Sequence, residues 1–185
     1  RAKFNIAQSM ENYAQYSGLT FWSPNVNLFR DPRWGRGMET YGEDPYLQAQ
    51  LGTAFVKGLQ GDDPKHMKAA ACAKHYVVHS GPEALRHEFD AVAPRRDFYE
   101  SYLPAFEALV KEGGVECVMC AYNRTYGEPA CGSDMLLQEI LRDDWGFEGH
   151  VVSDCGAVED FHKHHKVAPN EAEAAAWALK AGTDV

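Results

Sequence analysis

No apolar run in this chain approaches the roughly 20 residues that a membrane-spanning helix needs, so its 45% hydrophobic content is dispersed rather than massed. Basic charge is scarce: 18 Lys and Arg stand against 27 Asp and Glu, a net charge of −9. That balance argues against nucleic acid or an anionic membrane as partner, since either wants a basic face. No phosphate-cradling loop occurs, because Gly35-Arg36-Gly37 lacks a third glycine and is followed by Glu39, Glu43 and Asp44. There is no G-x-S-x-G nucleophile elbow, no internal repeat, no linker and no low-complexity tract. A start methionine is also missing. The chain opens at Arg1 in helix-like sequence and closes on Ala181-Gly182-Thr183-Asp184-Val185, a helix stop and the beginning of a strand. Both edges are therefore expected to cut through a fold, with any signal peptide lying upstream.

The five cysteines, Cys72, Cys117, Cys120, Cys131 and Cys155, have no disulfide-framework spacing. Cys117-Val118-Met119-Cys120 is formally a C-x-x-C, but positions i and i+3 of a strand face opposite ways and no second pair completes a zinc set. All five are read as small core residues. His162, His164 and His165 have no carboxylate or cysteine at ligand spacing within a defined element, so a solvated loop is expected there rather than a metal site. No cofactor is expected.

What is present alternates between two kinds of segment. Residues 2–16 are helix-like, and Leu19 to Ser23 is a short apolar stretch. Asp44 followed by Pro45 predicts a capped helix running to Gly58. Ala69 to Ala73 is a small-residue apolar run ending at Lys74-His75. Asp97 to Lys111 is amphipathic, with Pro104 expected to kink or divide it. Cys117 to Ala121 predicts a strand, Ser133 caps a helix that stops near Gly146, and Gly149 to Ser153 predicts another strand. Asn170 with Glu173 starts a last helix closed by Gly182. Strands alternating with helices imply a parallel α/β fold, and Val151-Val152 suits a strand buried on both faces. Pattern alone leaves a β/α barrel and a doubly wound sheet both open.

The polar residues of interest follow strand ends: Lys74-His75, Tyr122-Asn123 and Asp154. In parallel α/β folds those ends open on one side, where sites are built. The run Phe29-Arg30-Asp31-Pro32-Arg33-Trp34-Gly35-Arg36-Gly37-Met38-Glu39-Thr40-Tyr41-Gly42-Glu43-Asp44-Pro45 resembles a signature of family 3 glycoside hydrolases. So do Ala73-Lys74-His75-Tyr76, Met119-Cys120-Ala121-Tyr122-Asn123, Trp145-Gly146-Phe147-Glu148-Gly149 and Val152-Ser153-Asp154, in the family's order and across nearly the whole chain.

The resemblance implies a partial (β/α)8 TIM-type barrel, with residues 1–185 as the middle portion of the family's N-terminal barrel domain, truncated at both ends. It implies a retaining exo-β-glycosidase that releases terminal β-linked xylose or glucose through a covalent glycosyl-aspartate. By motif, Asp154 matches the nucleophile, Arg36, Lys74 and His75 match residues holding hydroxyls of the terminal sugar, and Arg86 and Tyr122 match further contacts. The family's acid/base glutamate comes from a following domain, so the partners expected are a glycoside substrate, the missing barrel strands and that domain. The isolated chain is expected to be inactive.

The chemistry fits these roles. A glycosidic bond breaks through an oxocarbenium-like state, and a carboxylate beside the anomeric carbon stabilises that charge and bonds to it. Plainer readings stand beside the sharp ones. Asp154 also suits a turn, Lys74-His75 a satisfied buried pair, and Arg33 a structural ion pair with Glu39, Glu43 or Asp44. Glu83, His79 and His87 are secondary candidates for the same loop. Two alternatives to the xylosidase or glucosidase reading are a β-N-acetylglucosaminidase of the same family and an inactive carbohydrate-binding fragment. Glycan breakdown favours a periplasmic or secreted setting.

Overall fold

The computed structural model describes residues 2–14 and 16–185. In chain order the elements are α1 (Ala2–Ser9), β1 (Thr20–Phe21), α2 (Pro45–Gln60), β2 (Ala70–Tyr76), β3 (Asp90–Ala91), α3 (Arg95–Asp97), α4 (Pro104–Lys111), β4 (Cys117–Cys120), β5 (Arg124–Thr125), β6 (Glu128–Pro129), β7 (His150–Ser153), α5 (Ala157–Lys163) and α6 (Glu171–Ala181). Two π-helical stretches, Phe98–Tyr102 and Met135–Asp144, and short 3-10 turns such as Gly37–Glu39 and Glu83–Leu85 complete the chain.

The central sheet has the order β1-β2-β4-β7, and every pairing in it is parallel. Residues past α6 extend it: Asp184 donates its N–H to the Val151 carbonyl at 2.8 Å, and Ser153 donates to Val185 at 2.8 Å. Helical connections between parallel neighbours make this a sector of a (β/α)8 barrel, as the sequence led us to expect. A smaller sheet has the order β3-β5-β6, with β3 and β5 parallel and β5 and β6 antiparallel.

Burial alternates along the strands with period two. Ala71, Ala73, Val118, Cys120 and Val151 join the large core with helix residues such as Phe106, Leu109, Leu136 and Leu141. Cys72, Cys117, Met119 and Val152 form a separate buried cluster on the other face. The same alternation carries that second face up to Lys74 on β2 and to Asp154 just past β7, so both are delivered to one rim. Packing behind the sheet is close: a Cβ at Gly52 of α2 would lie 2.8 Å from Leu109 of α4.

The helix signals are realised locally. Asp44 accepts from the Leu47 N–H at 2.8 Å, and Asn170 accepts from the Glu173 N–H at 3.0 Å. Helix α2 runs two residues past Gly58 and is closed by Gly61. Pro104 divides the 97–111 region as expected, with a π-helical turn before it and α4 after it. Helix α1 is shorter than the predicted 2–16 span, ending at Ser9, and Gln15 lies outside the described residues.

The cysteine reading needs correction. Cys120 and Cys131 are joined by a disulfide, and Cys155 is exposed beside Asp154. Spacing failed here because the bond joins a strand to a 3-10 turn across the β5-β6 hairpin. Only Cys72 and Cys117 remain buried free thiols. His165, expected in a solvated loop, is buried and stacks on Phe161.

Candidate active site

Asp154 is 7% exposed although it carries a carboxylate. Its Oδ1 accepts from the Cys155 N–H at 2.8 Å, which fixes the group's orientation. Its Oδ2 has no hydrogen-bond donor. His75 Nε2 lies 3.4 Å from it and Arg36 Nη1 4.0 Å, and the Tyr122 hydroxyl approaches the same carboxylate. A buried carboxylate oxygen left bare is costly.

The His75 side of that pair can be assigned a tautomer. Asn27 Nδ2 donates to the His75 carbonyl at 2.9 Å, so Asn27 Oδ1 is the acceptor for both the His75 N–H and ring Nδ1, each at 2.9 Å. The proton therefore sits on Nδ1, and Nε2 presents a lone pair. Burial, reinforced by the surrounding cations, lowers the His75 pKa well below the usual histidine value and keeps the ring neutral. A lone pair thus faces a carboxylate oxygen at 3.4 Å, two acceptors with nothing donated between them. A hydroxyl placed there would serve either.

His79 repeats the device. Asn123 Nδ2 donates to the Val78 and Arg124 carbonyls, which leaves its Oδ1 to accept from His79 Nδ1 at 3.1 Å. Burial pushes His79 down to about 4, and its Nε2 is also unpartnered. The two rings lie 4.5 Å apart.

The cations are arranged around Glu39. Arg36 grips it with Nε at 2.6 Å and Nη2 at 2.9 Å, Lys74 Nζ lies 3.5 Å away, and Asn25 donates at 3.4 Å. The hydrogen bond from Arg36, outweighing burial and helped by the Arg36 and Lys74 charges, holds the Glu39 carboxyl at about 2. A depressed carboxyl pKa contributes stability that is complete above the unfolded value near 4.5 and is lost as pH falls through about 2. The melting-temperature gap between the native protein and Glu39→Gln is therefore expected to be constant from neutral pH to about 5 and to close towards pH 2. A gap already closed at pH 4.5 would refute the pairing.

Tyr122 is buried, and burial together with the nearby Asp154 charge holds its hydroxyl protonated, well above the usual tyrosine range. Arg86 Nη1 pairs with Glu83 at 3.2 Å, and its guanidinium lies 5.5 Å from the Tyr122 ring centroid. Glu83 reaches this position because Gly35 has no side chain; a Cβ there would stand 2.9 Å from the Glu83 stem.

The structure thus brings Asp154, Arg36, His75 and Tyr122 together, with Lys74 joined through Glu39 and Arg86 through the Tyr122 ring. Arg33 stands apart. It pairs with Asp31 at 2.6 Å in solvent, not with Glu39, Glu43 or Asp44, because Arg36 already occupies Glu39. Asn25 and Asn27 were missed in the sequence, though they lie past β1 at the same rim that singled out Tyr122-Asn123. Among the described residues no group of three or more His, Cys, Asp or Glu is placed to hold a metal ion, and no helix is long and apolar enough to cross a membrane.

A carboxylate with a bare oxygen, ringed by Arg, His and Tyr, thus sits at the C-terminal ends of parallel barrel strands, the face on which such barrels build their sites. Residues 5–185 match the glycosyl hydrolase family 3 N terminal domain, and the chain belongs to that family. It is 58% identical over 169 residues to a xylan 1,4-beta-xylosidase of Xylanibacter ruminicola, covering 90% of this chain and 20% of that protein. Beta-D-xylosidase 3 of Arabidopsis thaliana is 44% identical over all of this chain and 24% of its own length. Among solved structures, a GH3 exo-beta-xylosidase (XlnD) bound to a xylobiose aziridine probe aligns with TM-score 0.86 and 39% identity, over 91% of this chain and 23% of that one. A beta-glucosidase from Listeria innocua aligns with TM-score 0.81 and 39% identity, over 90% and 23%. The chain spans about a fifth to a quarter of the length of these relatives.

Proposed function

We propose that this chain carries the nucleophile and most of the terminal-sugar pocket of a retaining exo-β-glycosidase, with xylose ahead of glucose as the sugar released. The observation that carries the reading is the bare Asp154 Oδ2, held between His75 Nε2 and Arg36. In the first step an Asp154 oxygen bonds to the sugar's C1 as the bond from C1 to the leaving oxygen breaks, and a proton donor delivers a proton to that oxygen. In the second, water attacks C1, returns its proton to the same group and frees Asp154. His75 Nε2 accepts a sugar hydroxyl. Arg36, Lys74, Arg86 and Tyr122 hold the others.

The proton donor belongs to another part of the protein. Glu39 is ionised by its grip on Arg36 and Lys74, so it does not serve as an acid near neutral pH. In this reading residues 1–185 form the middle portion of the barrel domain, whose other strands complete the sheet. Preference for xylose rests on the xylosidase relatives at 58% and 44% identity.

The test is trapping the complete enzyme with a 2-deoxy-2-fluoro xyloside and locating the adduct by peptide mass. The label is expected on Asp154, with faster trapping by the xylosyl than by the glucosyl or arabinosyl reagent. A label on any other residue refutes the mechanism.

A further inference from the structure

Arg86 is followed by His87, and this second residue is anchored far away in sequence. His87 Nδ1 lies 2.7 Å from Asp160 Oδ2, across 73 positions. Asp160 sits on α5, the helix that opens three residues after Asp154, and is 4% exposed. Its other oxygen lies 3.7 Å from His164 Nε2. The His87 ring packs 4.3 Å from the Tyr122 ring. Successive residues therefore grip one tyrosine, Arg86 by its guanidinium and His87 by its ring, and Asp160 ties that grip to the corner bearing the nucleophile.

We propose that His87 and Asp160 are positioning residues that hold Arg86 and Tyr122 in register with Asp154, an inference that rests on reading those two as sugar contacts. A carboxylate buried this far is tolerated only when paired, and burial raises the Asp160 pKa against the opposing pull of His87. The pair ties the 81–89 loop to α5 directly, beside a looser ring contact of His87 with His164 at 5.5 Å just past that helix. Asp154 itself is fixed independently through the Cys155 N–H, and His75 through Asn27. Loosening the tie should weaken substrate binding in ground and transition states alike, which raises KM and spares kcat.

The experiment measures Asp160→Asn and His87→Gln in the complete enzyme, alone and combined with Tyr122→Leu, with melting curves as the folding check. The expected result is a rise in KM of about 10-fold with kcat within about 2-fold, shrinking to under about 2-fold in the Tyr122→Leu background, because coupled residues are non-additive. Either variant supplies the result if the other fails to fold. A full 10-fold loss that persists without Tyr122, or no change in KM, overturns the proposal. So does a loss of kcat that grows with poorer leaving groups, which would make His87 a proton donor. The fluoro-sugar label reports on Asp154 separately: an adduct on Asp154 with additive variants sinks only the positioning role, whereas an adduct elsewhere sinks the nucleophile assignment and leaves the coupling measurement readable.

Discussion

Asp154→Asn is expected to lower kcat/KM of the complete enzyme by at least ~10⁴-fold, about 5.5 kcal/mol of transition-state stabilisation. The substitution keeps the shape and the acceptor for the Cys155 N–H but removes the charge that, in the proposed mechanism, meets the developing cation at C1. It also turns a donor towards the His75 ring. An Asn Nδ2 in place of Oδ2 would face the His75 Nε2 lone pair across the present 3.4 Å gap. Two bare acceptors would become a hydrogen-bonded pair, so the folded protein is expected to be as stable as the native one or more so, with activity gone. That opposition is what a functional site held against its own stability predicts. Removing the side chain as well, in Asp154→Gly, opens a space for azide; with an activated leaving group, azide is expected to restore turnover and give a glycosyl azide of inverted configuration. A variant that keeps more than a tenth of native activity would exclude Asp154 as nucleophile.

The parts of this site that were legible in sequence are those where local chemistry sets position. Asp154 and Tyr122 follow apolar strands and Lys74-His75 lie within the last residues of β2 rather than past its end, and parallel strands bring such ends to one rim whatever the loops do. The caps at Asp44 and Asn170 were legible for the same reason, since the acceptor and the N–H it serves lie three residues apart. What escaped depends on contacts distant in sequence. Asn27 meets His75 across 48 positions, Asn123 meets His79 across 44, and Asp160 meets His87 across 73. No periodicity reports such pairs. The Cys120–Cys131 bond was hidden differently: an 11-residue separation closed by a hairpin looks like two unrelated cysteines until β5 and β6 are paired. Arg33 and Arg36 shared one acidic neighbourhood, and only geometry decides that Arg36 takes Glu39 while Arg33 turns to Asp31 in solvent.

The chain produced alone is expected to show turnover at least ~10²–10⁴-fold below that of the complete enzyme, the range by which positioned acid–base catalysis speeds such steps. Two independent physical reasons converge. First, the proton donor is proposed to lie outside this chain, since Glu39, the carboxylate gripped by Arg36 and Lys74, is held at about 2. Asp154 then has no partner to protonate the leaving oxygen, and bond breaking must expel an unprotonated alkoxide. Substrates with very good leaving groups should therefore suffer least, a graded signature that simple misfolding does not give. Second, among the described residues strand β1 pairs only with β2, and Phe21 and Trp22 at that edge are 48% and 40% exposed. An unpaired strand edge flanked by exposed aromatics invites association, so the chain alone is expected to oligomerise and to melt well below the complete enzyme. Side-by-side kinetics on a leaving-group series, with light scattering on both samples, separates the two causes. Equal turnover by chain and complete enzyme on an alkyl glycoside would mean that the proton donor lies within these 185 residues, and the division of labour proposed here would fall.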